Sequence, residues 1–142
     1  LFHFININMK DSLFKIIYWI MLILLTGDTI DTLYRFILIG YLGEGTNFPG
    51  VDYVIKPNTI DLIIFLIVQI GVIYGIYLLY NLKKIGGYWF IGSNLIYLIY
   101  ASILGPIAQI GISNILIPIV LFFFLYLALA IVIPFIYSDK FE

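Results

Sequence analysis

Cysteine is absent from this chain, histidine occurs once, at His3, and charged side chains make up only 11% of the 142 residues. The missing thiols exclude disulfides, thiolate metal centres, iron–sulfur clusters and cysteine nucleophiles. A single histidine ahead of every apolar stretch leaves no ligand within the membrane for haem or chlorophyll, and no His-carboxylate set for zinc hydrolysis. No Walker loop, dinucleotide fingerprint or G-x-S-x-G elbow is present. Ser93, Ser102 and Ser113 have no lysine at matching depth, and Asp28 and Asp31 share one helix, which argues against Ser–Lys and paired-Asp proteases. The expectation is a protein that is not an enzyme and takes no metal or cofactor. A net charge of −1 without any run of like charges argues against nucleic acid as a partner.

What the chain has in plenty is apolar length. Hydrophobic residues reach 63% and mean hydropathy +1.13, whereas a soluble domain carries roughly 25% charged residues. Crossing a hydrocarbon core of about 30 Å takes roughly 20 apolar residues in a helix. Four stretches qualify, over about 13–34, 60–80, 85–104 and 115–137. The reading is a single all-α domain over 1–142, an integral multi-pass membrane protein of four transmembrane helices packed antiparallel. A signal peptide in "MKDSLFKIIYWIMLILLTGD" is weighed and set aside, because no small-residue cleavage site follows the apolar core. That segment starts at Met9 like an ordinary N-terminus, so residues 1–8, His3 included, belong to an uncertain stretch.

Lysines set the orientation. Lys10 and Lys15 precede the first helix, Lys83 and Lys84 fill the second turn, and Lys140 follows the fourth helix. Basic loops stay cytoplasmic, so both termini are expected inside and the loop 44–58 outside. Tyr80, Tyr88 and Trp89 flank the inner turn as an aromatic belt does. In the outer loop, Pro49-Gly50 signals a turn and Val51 to Ile55 alternates like an extended piece. Asn58 and Asp61 have the spacing of a capping box at the second helix. Asn114 is expected to cap the fourth helix, and Pro134 to kink or end it.

The one dense charged cluster is "GDTIDTLYR", residues 27–35. If the first helix continues through it, about 100° of rotation per residue puts Asp28, Asp31 and Arg35 on one face. Asp28 then lies in the outer part of the hydrocarbon layer, where a charge costs about 2–3 kcal/mol, so this ladder should face protein or water. Two readings stay open: an Asp31–Arg35 pair with Asp28 bonded to a neighbouring helix or to Lys56, or Asp28 as a proton- or cation-binding carboxylate.

Nearer the midplane, Gln69 and Asn94 are the deepest uncharged polar groups. They differ in depth by roughly four residues, so Tyr97 is the alternative partner for Gln69. Gly71-x-x-x-Gly75 and Ala101-x-x-x-Gly105 carry the small-residue spacing that lets helix backbones approach closely.

The functional expectation is a non-catalytic small subunit or accessory protein of a larger membrane complex. Two packing faces on the second helix and an apolar outer turn, "GPIAQIGISN", call for cover. The alternative is a small transporter or channel component with an ion or proton site at Asp28 and Asp31. Other membrane subunits and lipids are the expected partners, a homo-oligomer is the further possibility, and a cytoplasmic or organellar inner membrane is the expected location.

Overall fold

The structure, a computed structural model, describes residues 12–47 and 54–142. His3, Lys10, the Pro49-Gly50 turn and Val51 lie outside the described residues. Helix α1 runs over Ser12–Tyr34 and continues without a break as a π-helical segment, Arg35–Tyr41. A two-stranded antiparallel hairpin follows, β1 (Thr46–Asn47) and β2 (Val54–Ile55), with Thr46 opposite Ile55 and Asn47 opposite Val54. Gly45, at φ +114°, makes the turn into it, and a β-carbon there would stand 2.7 Å from Val54 Cγ1. Helices α2 (Thr59–Tyr80) and α3 (Ile85–Ile103) are joined by the turn around Lys83. Two short 3-10 turns, Pro106–Gln109 and Ile112–Ile115, lead into α4 (Leu116–Leu127). A π-helical segment, Ala128–Val132, and a last α-turn, Ile133–Ile136, complete it. Among the described residues four helical spans are long and apolar enough to cross a membrane: Ser12–Tyr41, Thr59–Tyr80, Ile85–Gln109 and Ile112–Ile136.

Each helix end has a local cause. Asn58 accepts from the Asp61 N–H at 2.8 Å and Asp61 from the Asn58 N–H at 2.9 Å, so two otherwise orphaned donors of α2 are satisfied reciprocally. Lys56 Nζ donates to the carbonyls of Tyr41 and Gly43, a cation at the carbonyl end of the first span. Pro134 does not end the fourth span at once, because the wider turns of Ala128–Val132 just before it accommodate the ring. Pro134 has no N–H to offer the Ala130 carbonyl four residues back. That carbonyl packs onto Gly87 of α3, so closely that a β-carbon at Gly87 would overlap it. Asn114 does not cap α4. It sits inside the 3-10 turn that runs straight into the helix, and its amide closes on the Ile110 carbonyl instead.

The bundle is dense at one end and hollow at the other. At the lysine-bearing end Phe14, Tyr18, Leu79, Leu82, Phe90 and Phe141 form a continuous buried core. Tyr18 donates from α1 to the Tyr80 carbonyl at 2.6 Å. The last residues dock on the α2–α3 turn, with Lys84 N–H donating to Glu142 O at 2.9 Å, Glu142 N–H to Leu82 O at 2.7 Å, and Lys83 paired with the Glu142 carboxylate.

Helices α2 and α3 touch backbone to backbone at this end. A β-carbon on Gly75 would stand 2.6 Å from the Gly86 carbonyl oxygen, and one on Gly86 2.5 Å from the Gly75 oxygen. One turn along, Gly71 makes room for the side chain of Ser93. Ala101 is fully buried near the far end. Gly105 falls beyond α3, which ends at Ile103, so the Ala101/Gly105 pair is not a helix-packing stripe: Gly105 opens the following 3-10 turn and folds back on Tyr100 and Ala101.

Gly75→Ala should therefore lower bundle stability by about 1–3 kcal/mol through overpacking. Gly92→Ala, whose β-carbon would meet nothing within 4 Å, should be neutral or raise stability by up to about 1 kcal/mol. Thermal unfolding of both variants in one detergent distinguishes them, and equal effects would contradict the reciprocal glycine contact.

Candidate functional site

At the end away from the Lys83-Lys84 turn, the helices border a partly open cavity of about 400 Å³. Its walls join the two polar groups that lie apart in the sequence. Asp28, Asp31 and Arg35 enter from the first span, Gln69 from α2, and Asn94 and Tyr97 from α3. Ala101 contributes a small apolar patch, whereas Gly71, Gly75 and Gly105 do not line the cavity. The rest is mainly apolar and aromatic. Phe36 and Phe65 stack at 3.9 Å between centroids, and the Tyr97 ring stands edge-on to both, at 5.9 and 5.4 Å. Phe122 and Phe123 face them from α4. The hairpin residues Thr46 and Ile55 and the turn residues Pro106 and Ile107 line the remaining edge.

Phe36 belongs to the π-helical continuation of α1, whose wider turns place it against Phe65. Such segments recur at functional sites because they re-aim side chains without ending the helix. Gly40 in the same segment is buried; a β-carbon there would press on Thr46 and Pro57 at 3.3–3.4 Å, so this position also sets how closely the hairpin lies on the span.

The three charges have different fates. Arg35 Nε donates to Asp31 at 2.9 Å, one turn apart, with side chains 50% and 55% exposed. Asp28 bonds neither Lys56 nor Arg35. Its carboxylate accepts the Tyr126 hydroxyl of α4 at 2.5 Å, and among the described residues no cation pairs with it. Tyr126 was not singled out in the sequence. The signal was there, since Tyr126 is the one hydroxyl between Ile115 and Ile136, but its pairing with Asp28 spans 98 positions.

Gln69 finds neither of its expected partners. Asn94 donates its amide to the Phe90 carbonyl of its own helix at 2.9 Å, which turns it away from a cross-helix bond. Gln69 is only 5% exposed, and neither its Oε1 nor the Tyr97 hydroxyl has a hydrogen-bond partner. Buried polar groups are nearly always satisfied, and each exception requires an explanation.

Asp61 does more than cap. It is buried, and its second oxygen accepts the Tyr100 hydroxyl at 2.7 Å, which ties α3 to the start of α2. Ser102 bonds back to Leu98. Among the described residues no cluster of three metal-ligating side chains exists.

These features define a class: an all-α chain with four membrane-length helices and a mixed polar and aromatic cavity between them. Compared with protein-family models, curated proteins and solved structures, the chain finds no match.

Asp61→Ala removes the cap and leaves Tyr100 unpaired, so it should cost about 2–3 kcal/mol of stability. Asp31→Asn, at a half-exposed ion pair, should change stability by less than about 0.5 kcal/mol. Denaturant titration in mixed micelles measures both; a larger loss for Asp31→Asn would reverse the ranking of these two carboxylates.

Proposed function

We propose that the chain is a small integral membrane protein working as a transporter or channel component, with its solute site at Asp28 in the cavity. In this reading the four helices insert antiparallel with both termini on the cytoplasmic side, in a cytoplasmic or organellar inner membrane, and the cavity lies toward the outer face. The carrying observation is that one cavity connects Asp28 to Gln69, Asn94 and Tyr97. A carboxylate placed deep in a membrane is costly unless it faces protein or water, and such residues mark ion and substrate paths. Asp31 and Arg35 neutralise each other on the same wall, which leaves one formal negative charge, on Asp28. The function is passage or binding, with no bond made or broken.

The accessory-subunit reading rests on surfaces that call for a partner. Part of those surfaces has internal partners. The Gly71/Gly75 face of α2 is taken up by Gly86, Phe90 and Ser93 of α3, and its Gln69 face meets the cavity. In the apolar turn, Pro106 and Ile107 are buried within the chain, whereas Ala108 and Ile112 stay exposed. This favours a unit that is complete in itself or as a homo-oligomer, surrounded by lipid.

The test is cation flux in proteoliposomes under an imposed potential, with sodium, potassium, protons and a small organic ammonium ion read separately. Wild-type protein should carry at least one cation, and Asp28→Asn should lose flux roughly tenfold while keeping its gel-filtration profile. Absence of cation flux from wild-type vesicles, with comigration in a large assembly on a native gel, would return the chain to the accessory-subunit reading.

A further inference from the structure

The cavity's polar lining carries one charge without a counter-charge, on Asp28. Asp28 presents a carboxylate whose protein partner is a hydroxyl. Gln69, 5% exposed, lines the cavity, and its Oε1 is buried without a protein donor. Asn94 gives one amide N–H to the Phe90 carbonyl, which leaves its second N–H and its carbonyl oxygen. Tyr97 adds a buried hydroxyl without a partner. Arg35, the cation on the wall, is paired with Asp31 through Nε, so the charge left without a counter-charge is that of Asp28. A ligand complementary to Asp28 brings a positive charge and N–H donors.

The aromatic part of the lining asks for something different. The stacked Phe36 and Phe65 rings, with Phe122 and Phe123, are apolar surfaces that attract a cation over their faces and bury hydrocarbon. A bare metal ion uses none of this surface, and three convergent carboxylate or imidazole ligands are absent among the described residues. An anion meets the unpaired charge of Asp28. The volume of about 400 Å³ suits a small organic molecule, since such pockets span roughly 300–1,000 Å³.

The geometry points to a small organic ammonium ion, a protonated amine with an apolar or aromatic body, as the ligand of this cavity. Its ammonium group lies among Asp28, Gln69 and Asn94, and its body against Phe36 and Phe65. Tyr126 is a positioning residue here, because it donates to Oδ2 of the Asp28 carboxylate from α4. This inference rests on the Asp28-centred reading of function and narrows it to a substrate class.

The experiment is equilibrium binding of 2-phenylethylammonium to the full chain in lipid nanodiscs at neutral pH. Its neutral analogue, 2-phenylethanol, is measured alongside. The ammonium ion should bind roughly tenfold or more tightly than the alcohol, as expected for charge-assisted hydrogen bonds. Asp28→Asn should abolish that preference, and Gln69→Leu should weaken ammonium binding several-fold without lowering the unfolding temperature. Equal binding of amine and alcohol to the wild-type protein would overturn the proposal without reference to any variant. Loss of binding in neither variant would overturn it as well. The cation-flux assay separates the two levels: no ammonium binding with flux intact removes the ligand class alone, and absence of both removes the transport reading with it.

Discussion

Apolar helices in an apolar solvent gain little from mere contact, because lipid tails are as good a neighbour as leucine, so association depends on close packing and on a few polar bonds. In this chain the close packing is concentrated where Gly75 of α2 and Gly86 of α3 lie backbone against backbone. Gly87 extends the same principle to the fourth span by receiving the Ala130 carbonyl, the group that Pro134 deprives of its usual N–H. Three of the four spans are thus drawn together at the end that bears Lys83 and Lys84, and Tyr18 fastens the fourth of them, α1, to the Tyr80 carbonyl. With one end closed this tightly, the space between helices remains at the other, where bulkier contacts such as Phe36 on Phe65 hold the spans apart.

Two polar bonds at the hollow end share a pattern. Each joins two spans through a tyrosine hydroxyl and a carboxylate: Tyr126 with Asp28, and Tyr100 with Asp61. Tyrosine suits this task, since its ring packs like any apolar group while its tip satisfies a buried charge. The two bonds differ in consequence. Asp61 has both oxygens engaged by protein, one by Tyr100 and one by the Asn58 N–H, and is wholly structural. Asp28 has a single hydroxyl from α4 and a cavity in front of it.

What could be read from the sequence is what depends on neighbours within about four positions. The reciprocal Asn58–Asp61 cap, the Asp31–Arg35 pair and the Gly71/Gly75 spacing are all of this kind, and so are the four apolar lengths. Rotation of the spans was not legible, because a helix apolar on every side gives no stripe to say which face meets protein and which meets lipid. Tyr126 is the clearest case: its position in "FFFLYLAL" marks it as unusual, yet nothing local points it at Asp28. The same blindness explains Asn94, which shares a cavity with Gln69 but bonds within its own helix. Gly105 and Asn114 were misplaced for another reason. Both fall where helical geometry gives way to 3-10 turns, and spacing rules built on 3.6 residues per turn do not carry across that change.

The unsatisfied groups are the strongest argument that the cavity is selected rather than tolerated. Filling such a space with larger side chains recovers packing energy, since interiors are normally close to crystal density and voids are destabilising. Ala101 lines this one, and a larger aliphatic residue there would begin to fill it. Leucine in place of Gln69 would remove a buried oxygen that has no partner. Neither simplification is present. A chain whose other polar contacts, at Asp61, Tyr18 and Lys56, are each closed by protein leaves its open ones together, on the walls of a single cavity. On the proposed reading, a polar guest between the helices offsets the cost of leaving them open.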